Sequence, residues 1–354
     1  MPFRYYFYLI AFFGPVLSFS QIGGNNTFEF VNLPFSARAA ALGGNTLPTR
    51  DDDINLVYQN PSVLSEGMHN QLALTYVNYL SDINYGYAAY ARKFPKLGMV
   101  GAGLQFVDYG KFLEADQTGQ ITGQFFAAEY NLALSYAREI DSNFSMGASL
   151  KTIYSVLESY WSWGSALDMA ITYQKKAKNF TAALLVRNLG YQWRPYREGN
   201  REPLPFEIQI GLTKKPEHVP FRFGLILTNL QQWDLTYLDP TNPKPTVDPL
   251  TNEPLKEKKV GPFLDKAMRH VLMNGEFMLT KNFNIRLGFN YQRMKELRVQ
   301  TKPGLIGFSF GFGFKISKFH FSYGHGNYHL AGGTNNFTIT TNLSDFYRKD
   351  TSAR

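Results

Sequence analysis

The chain contains no cysteine, which excludes disulfides, thiolate metal sites and cysteine nucleophiles. Beyond its first twenty residues it has no apolar run of helical membrane length, and its mean hydropathy is below zero, so a bundle of membrane helices is excluded too. No repeat of solenoid or propeller period is present. The net charge of +8 comes without a basic helix or a basic-aromatic stripe, which argues against a nucleic-acid partner. Instead the basic residues gather in short turns, Arg92-Lys93-Phe94-Pro95-Lys96, Lys175-Lys176-Ala177-Lys178 and Lys214-Lys215. Such turns suit phospholipid headgroups, or are simply solvated.

What the chain has is aromatic residues and alternation. It carries 30 Phe and 22 Tyr. Between Leu305 and Ile316, Ile306, Phe308, Phe310, Phe312, Phe314 and Ile316 interleave with Gly, Ser and Lys. Period-two alternation gives a strand one apolar and one polar face. From strand to strand the apolar face is Phe, Leu, Ile and Tyr, and the other is small or polar. That pattern puts lipid on one side and a wet interior on the other, and predicts an all-β transmembrane barrel. At the N-terminus, Arg4, the apolar Tyr5 to Phe19 and the small residues Ser18 and Ser20 read as a signal peptide over residues 1–20, with Gln21 as the new first residue. The expected location is the outer membrane.

About fourteen segments of barrel length follow residue 71, an even number as such barrels prefer. The links near 94, 140, 176, 216, 281 and 317 are tight. Those at 110–122, 190–202, 231–268, 295–302 and 328–333 are mostly longer, so the two sets belong to opposite ends, the long ones outside the cell. The barrel is assigned to 71–347, with a tail at 348–354. Residues 21–70 do not alternate. Ser36 reads as the N-cap of a short helix stopped by Gly43-Gly44, and Asp51-Asp52-Asp53 and Asn60-Pro61-Ser62 are turn formers. A segment of this size is either a plug in the lumen or a periplasmic lead-in; the plug is the expectation, with Arg38 reaching an inward acid or a carbonyl.

With the Phe/Leu face outward, the inward charges are Glu129, Lys151, Asp168, Arg187, Glu207, Arg222, Glu276 and Arg286, alternating in sign over eight consecutive strands. Counting back from the turns places Lys151 near Glu129, Arg187 near Asp168 and Arg286 near Glu276. Such pairing predicts a closed interior rather than an open pore. No cofactor, metal or catalytic residue is expected. Gly307-Phe308-Ser309-Phe310-Gly311 matches a nucleophile-elbow pattern, but lies mid-strand. His320, His325 and His329 do not share a face, and the three aspartates lack calcium-loop spacing.

Residues 28–62 add a resemblance. Phe28-Glu29-Phe30-Val31-Asn32-Leu33-Pro34-Phe35-Ser36-Ala37-Arg38, the alanine run to Gly43-Gly44, the acidic triplet and Asn60-Pro61-Ser62 resemble the FadL-like barrels of the type IX secretion system, PorQ-like members most and PorV-like members next. The resemblance implies a fourteen-stranded barrel with Phe28, Phe30, Arg38, Asn60 and Pro61 in its plug. It also implies a non-enzymatic scaffold that anchors a PorZ-like surface protein, alongside a PorV-like barrel and a PorU-like sortase, where cargo is linked to anionic lipopolysaccharide. The rival expectation is a FadL-type transporter of hydrophobic small molecules, for which Gly98, Gly101 and Gly103 offer a strand kink. The partner would dock near the longest loop, on Trp233, Tyr237, Leu238, Phe263 and Leu264, unless these residues belong to the aromatic girdle.

Overall fold

The computed structural model describes residues 26–79, 83–236, 260–297, 304–329 and 332–347. The signal-peptide segment, most of the longest loop and the tail lie outside the described residues. Fourteen strands form one closed antiparallel barrel, each bonded to its sequence neighbours and the last to the first. They are β1 (Gln71–Asn78), β2 (Asn84–Phe94), β3 (Gly98–Ala115), β4 (Ile121–Glu139), β5 (Phe144–Leu157), β6 (Tyr160–Lys175) and β7 (Phe180–Arg194). The second half comprises β8 (Glu207–Lys214), β9 (Phe221–Leu227), β10 (Val271–Met278), β11 (Phe283–Asn290), β12 (Phe308–Ile316), β13 (Phe319–His329) and β14 (Gly332–Asn342). Closure satisfies every sheet edge, as a wall surrounded by lipid requires. Leu74, Tyr130, Leu132, Leu134, Phe310 and Ile339 stand exposed on the outer face while alternate residues are buried. This is a membrane-spanning β-barrel.

Several boundaries differ from the sequence expectation. The clearest alternating segment enters the sheet at Phe308, not Leu305, because Gly307 adopts φ +88° and breaks the strand. Ile306 is consequently buried instead of facing lipid. Besides α1 (Ala37–Ala41) in the N-terminal segment, two short helices form at the long-loop end: α2 (Val260–Arg269), almost wholly within the expected loop, and α3 (Tyr291–Leu297), which takes its first four residues from the expected strand before 295. The last strand stops at Asn342 and a helical turn spans Ser344–Tyr347, short of the assigned barrel end at 347.

The interior is not uniformly polar. Against β1 to β5 it is apolar: Ala73, Val77, Ala89, Met99, Val107, Ala133 and Ile153 point inward and meet Phe30, Phe35, Leu56 and Tyr58 from residues 26–70. Phe35 contacts Tyr58 edge-on at 5.8 Å and Tyr85 at 5.2 Å between ring centroids. Polarity alone did not reveal this, because a filled lumen needs an apolar core to hold its filling. The cluster around Arg38 and Glu276 occupies the other sector, while Glu129 and Lys151 stand at the edge of this one.

Candidate functional site: a filled lumen between two mouths

Residues 26–70 run inside the barrel. A five-residue helix at Ala37–Ala41 begins where the Ser36 hydroxyl accepts from the Ala39 N–H, and it ends at Gly43 and Gly44, both at positive φ. Its backbone lies on glycines of the wall. A Cβ added at Gly324 would sit 2.1 Å from Ala37 O, one at Gly311 2.6 Å from Ala41 Cβ, and one at Gly288 2.1 Å from Gly43 N. Gly211 does the same for Pro48 (2.7 Å) and Gly147 for Pro61 (2.4 Å). Five inward glycines on β5, β8, β11, β12 and β13 are thus the landing strip of the filling. In the sequence they read only as small residues of the polar face. The available signal was glycine recurring at inward positions of strands otherwise rich in β-formers.

Asn60 ties the segment to β6. Its Nδ2 donates to Leu47 O (2.8 Å) and Thr172 Oγ1 (2.9 Å), and its Oδ1 caps the turn by accepting from Ser62 N. Phe28, in the left-handed region (φ 58°), packs toward Tyr196 with centroids 6.4 Å apart.

Opposite the apolar sector lies the ion cluster. Arg38 donates to both oxygens of Glu276 (2.9 and 2.8 Å), to Asp51 (2.5 Å) and to Asp53 (3.0 Å). Arg222 from β9 grips Asp51 with two bonds (2.7 and 2.8 Å) and touches Glu276 at 3.0 Å. Arg286 stands directly across from Glu276 in the β10–β11 register, its Nε 3.2 Å away, with Nη1 on Ser322. Three arginines meet three carboxylates, so the cluster is formally neutral. Bidentate, charge-assisted geometry of this kind is what lets ions stay buried.

The remaining inward charges pair differently from the expected scheme. Lys151 does not meet Glu129, which faces Ser155 and accepts from Tyr109 OH at 2.5 Å. Lys151 instead reaches diagonally to Asp168 on β6 (2.6 Å) and to Asn188 (2.8 Å), and sits 4.8 Å from the Tyr58 ring centroid. Nor does Arg187 pair with Asp168. A register shift between Leu167 and Met169 puts Asn188 beside that carboxylate, so the Asn188 N–H binds it and Arg187 turns to the Val31 carbonyl at 3.2 Å. Glu207 faces Arg187 in the ladder, and its Oε1 accepts from Asn229 N. Turn counting cannot detect a bulge, and one extra residue changes every partner beyond it.

Lys151 and Asp168 are both fully enclosed, at 0% and 1% side-chain exposure. Removing one partner strands a buried charge, so Asp168→Leu alone is expected to destabilise the folded barrel by about 3–5 kcal/mol. The double variant Lys151→Met with Asp168→Leu is expected to regain most of that. Urea titration of the four-member mutant cycle in detergent checks both; full additivity would contradict the pairing.

The lumen opens to two mouths. At the tight-turn end a cavity of about 540 Å³ is lined by Arg38, Asp51, Asp53, Glu276 and Arg286 of the ion cluster and by Lys215, Lys281, Lys315, Lys318 and His320. At the long-loop end a vestibule of about 1020 Å³ is lined largely by amides and charges, among them Asn32, Arg187, Gln209, Asn229, Gln232 and Arg293, with Leu204, Phe206 and Leu272 between them. The two share no lining residue. The wall at Gly98, Gly101 and Gly103 is intact: β3 pairs with β2 without interruption from Gly98 to Asp108, and the Tyr87 ring fills the space over Gly103.

Above the vestibule, Trp233 and Phe263 pack with centroids 5.5 Å apart, and Trp233 stacks on His270 at 5.6 Å. With Leu264 they form an apolar patch, more than half of each side chain exposed. Tyr237 and Leu238 lie outside the described residues. Asp265 fastens α2 to α3, bonding Arg269, Tyr291 and Lys295. Partial burial opposes its ionisation, but the bonds from Lys295, Tyr291 and Arg269 outweigh that and hold its carboxyl below the usual range. The clasp is therefore at full strength above the ordinary carboxylate pKa and weakens only as pH falls through the lowered folded value.

No family model matches the chain, and no curated protein does. Solved structures of similar architecture include the Ralstonia pickettii toluene transporter TbuX, at 12% identity and TM-score 0.48, covering 88% of this chain and 98% of that one. The Pseudomonas putida toluene transporter TodX is similar at 13% identity and TM-score 0.48, covering 87% and 96%. A Pseudomonas aeruginosa FadL homologue follows at 9% identity and TM-score 0.45, covering 87% and 98%. Likeness at this level concerns barrel architecture and carries no activity across.

Proposed function

We propose that this chain is a sealed outer-membrane barrel that anchors a soluble protein at the cell surface. The observation that carries the reading is the neutral cluster of Arg38, Arg222, Arg286, Asp51, Asp53 and Glu276, which binds the filling to the wall where a conduit would have to pass. A molecule built to pass apolar solutes has no evident use for six charges there. On this reading the work is done at the long-loop rim, where Trp233, Phe263 and Leu264 supply apolar anchors above the lipid. The resemblance of residues 28–62 to type IX secretion barrels suggests the partner: a PorZ-like surface protein, with PorV-like and PorU-like components beyond it, and linkage of cargo to anionic lipopolysaccharide as the shared task.

The second reading is a FadL-type transporter of hydrophobic small molecules. It is favoured by the vestibule, whose Leu204, Phe206 and Leu272 could receive an apolar solute. Two measurements separate the readings. In planar bilayers the purified barrel is expected to pass no steady current. Affinity purification from the native membrane is expected to recover a soluble surface protein, and the triple variant Trp233→Ala, Phe263→Ala, Leu264→Ala is expected to lose at least about nine-tenths of it, since exposed aromatic anchors commonly dominate binding. Recovery of no protein partner, together with uptake of an apolar solute that depends on the barrel, would transfer the assignment to transport.

A further inference from the structure

We propose that the outer wall at the long-loop ends of β6 and β7 is a binding site for the phosphate of an outer-leaflet lipid headgroup, held by Arg194 and Arg201. The proposal is independent of the docking patch at Trp233.

Three of the four tryptophans of the chain converge here. Trp163 and Trp193 stack with centroids 5.9 Å apart, Tyr191 meets Trp193 edge-on at 5.1 Å, and Tyr154 lies 6.0 Å from Trp161. Tyr154, Trp163, Tyr191 and Trp193 are exposed on the outer face of the wall. Amphipathic rings on the outside of a barrel mark the level where acyl chains give way to headgroups.

Into this belt the chain brings two guanidinium groups. Trp163 pairs with Arg194, whereas Gly164 pairs with Gln192, which leaves Trp193 as an extra residue. The irregularity stands Arg194 on the same face as Trp163, 3.5 Å from the centroid of the Trp161 ring. The connection after β7 then folds back through the Arg197–Asn200 bridge. Arg201 comes to rest 4.6 Å over the outward Tyr191, while Arg197 lies over Tyr160 on the lumen side of the rim. A guanidinium parked on a ring keeps its N–H edge for a further acceptor, and that planar fork matches phosphate.

Acids are close in sequence. Glu158, Glu198 and Glu202 lie in the same connections, yet among the described residues no ion pair joins any of them to these arginines. Because Arg194 and Arg201 rest on rings of the lipid-facing wall, the neighbour they meet is a membrane lipid, and phosphate is the anion such a lipid presents at this depth.

The test uses the purified barrel in a neutral detergent, titrated with diphosphorylated lipid A, with enzymatically dephosphorylated lipid A, and with inorganic phosphate. Retained lipid is read by native mass spectrometry and tryptophan fluorescence. The phosphorylated lipid is expected to be held about tenfold or more tightly than the dephosphorylated one, as loss of charge-assisted bonds implies. The variant Arg194→Gln, Arg201→Gln is expected to abolish that difference while keeping the heat resistance of the barrel, whereas Arg197→Gln is expected to leave it. Should the double variant fail to fold, the wild-type comparison of the two lipids decides alone. Equal retention of both lipids overturns the proposal. So does an unchanged preference in the folded double variant, or saturation by inorganic phosphate alone at equal concentration.

Discussion

Placing valine at Gly288 and Gly324 together is expected to dislodge the filling and turn a silent barrel into a conducting one. Both glycines are inward positions of regular strands without positive φ, so the wall itself accepts a β-branched residue. What does not accept it is the short helix at Ala37–Ala41. A Cβ at Gly324 lands 2.1 Å from Ala37 O, and one at Gly288 lands 2.1 Å from Gly43 N, against about 3.5–4.0 Å for atoms in normal contact. The clashing atoms are backbone, so no rotamer change relieves them. Overpacking costs about 1–3 kcal/mol per site, and here both ends of one five-residue helix are pushed the same way. The ladders of the wall are untouched, so a folded, heat-resistant barrel should remain. Planar-bilayer recordings should change from no current to steps, and protease should now cut within residues 26–70. Leu74→Val on the outer face serves as the control. A double variant that stays silent and protected would mean that the filling moves aside without opening a path, and the sealed-lumen reading would lose its support.

The second large effect is expected at Glu276. This carboxylate is nearly enclosed and, among the described residues, is the only acid touched by all three arginines of the cluster. Asp51 and Asp53 are more open, at 32% and 15% side-chain exposure against 5%, so water can replace part of what they supply. Glu276→Gln keeps the shape and removes the charge, leaving three buried cations facing two acids. Breaking a buried ion pair from one side costs about 3–5 kcal/mol, and this substitution should fall in that range when unfolding is followed by urea titration or by heat-induced mobility shift in gels. Adding Arg286→Met restores three-way balance to two against two and should recover more than half of the loss. Sites in contact couple by about 0.5–3 kcal/mol, which makes the recovery measurable. A loss under about 1 kcal/mol would indicate that water reaches the cluster and that the ions there screen one another.

Much of this molecule could be read before any coordinates. Alternation at period two is a local property, so the sequence alone determined that the chain forms strands, that about fourteen of them follow residue 71, and which face of each meets lipid. Phe308, Phe310 and Phe312 point outward because every second residue must. Local chemistry likewise marked the Ser36 cap, the glycine stop and the Asn60-Pro61 turn. The tertiary structure alone decided who meets whom. Lys151 joins Asp168 because its side chain spans a diagonal, and Arg187 turns away because a bulge at Leu167–Met169 slips the register by one. Arg38 finds Glu276 across 238 residues of chain. Such contacts depend on strand register and on where residues 26–70 lie, and neither is written in a window of neighbouring residues. The same holds for the five landing glycines: a missing side chain says that something comes close, and only the folded chain says what.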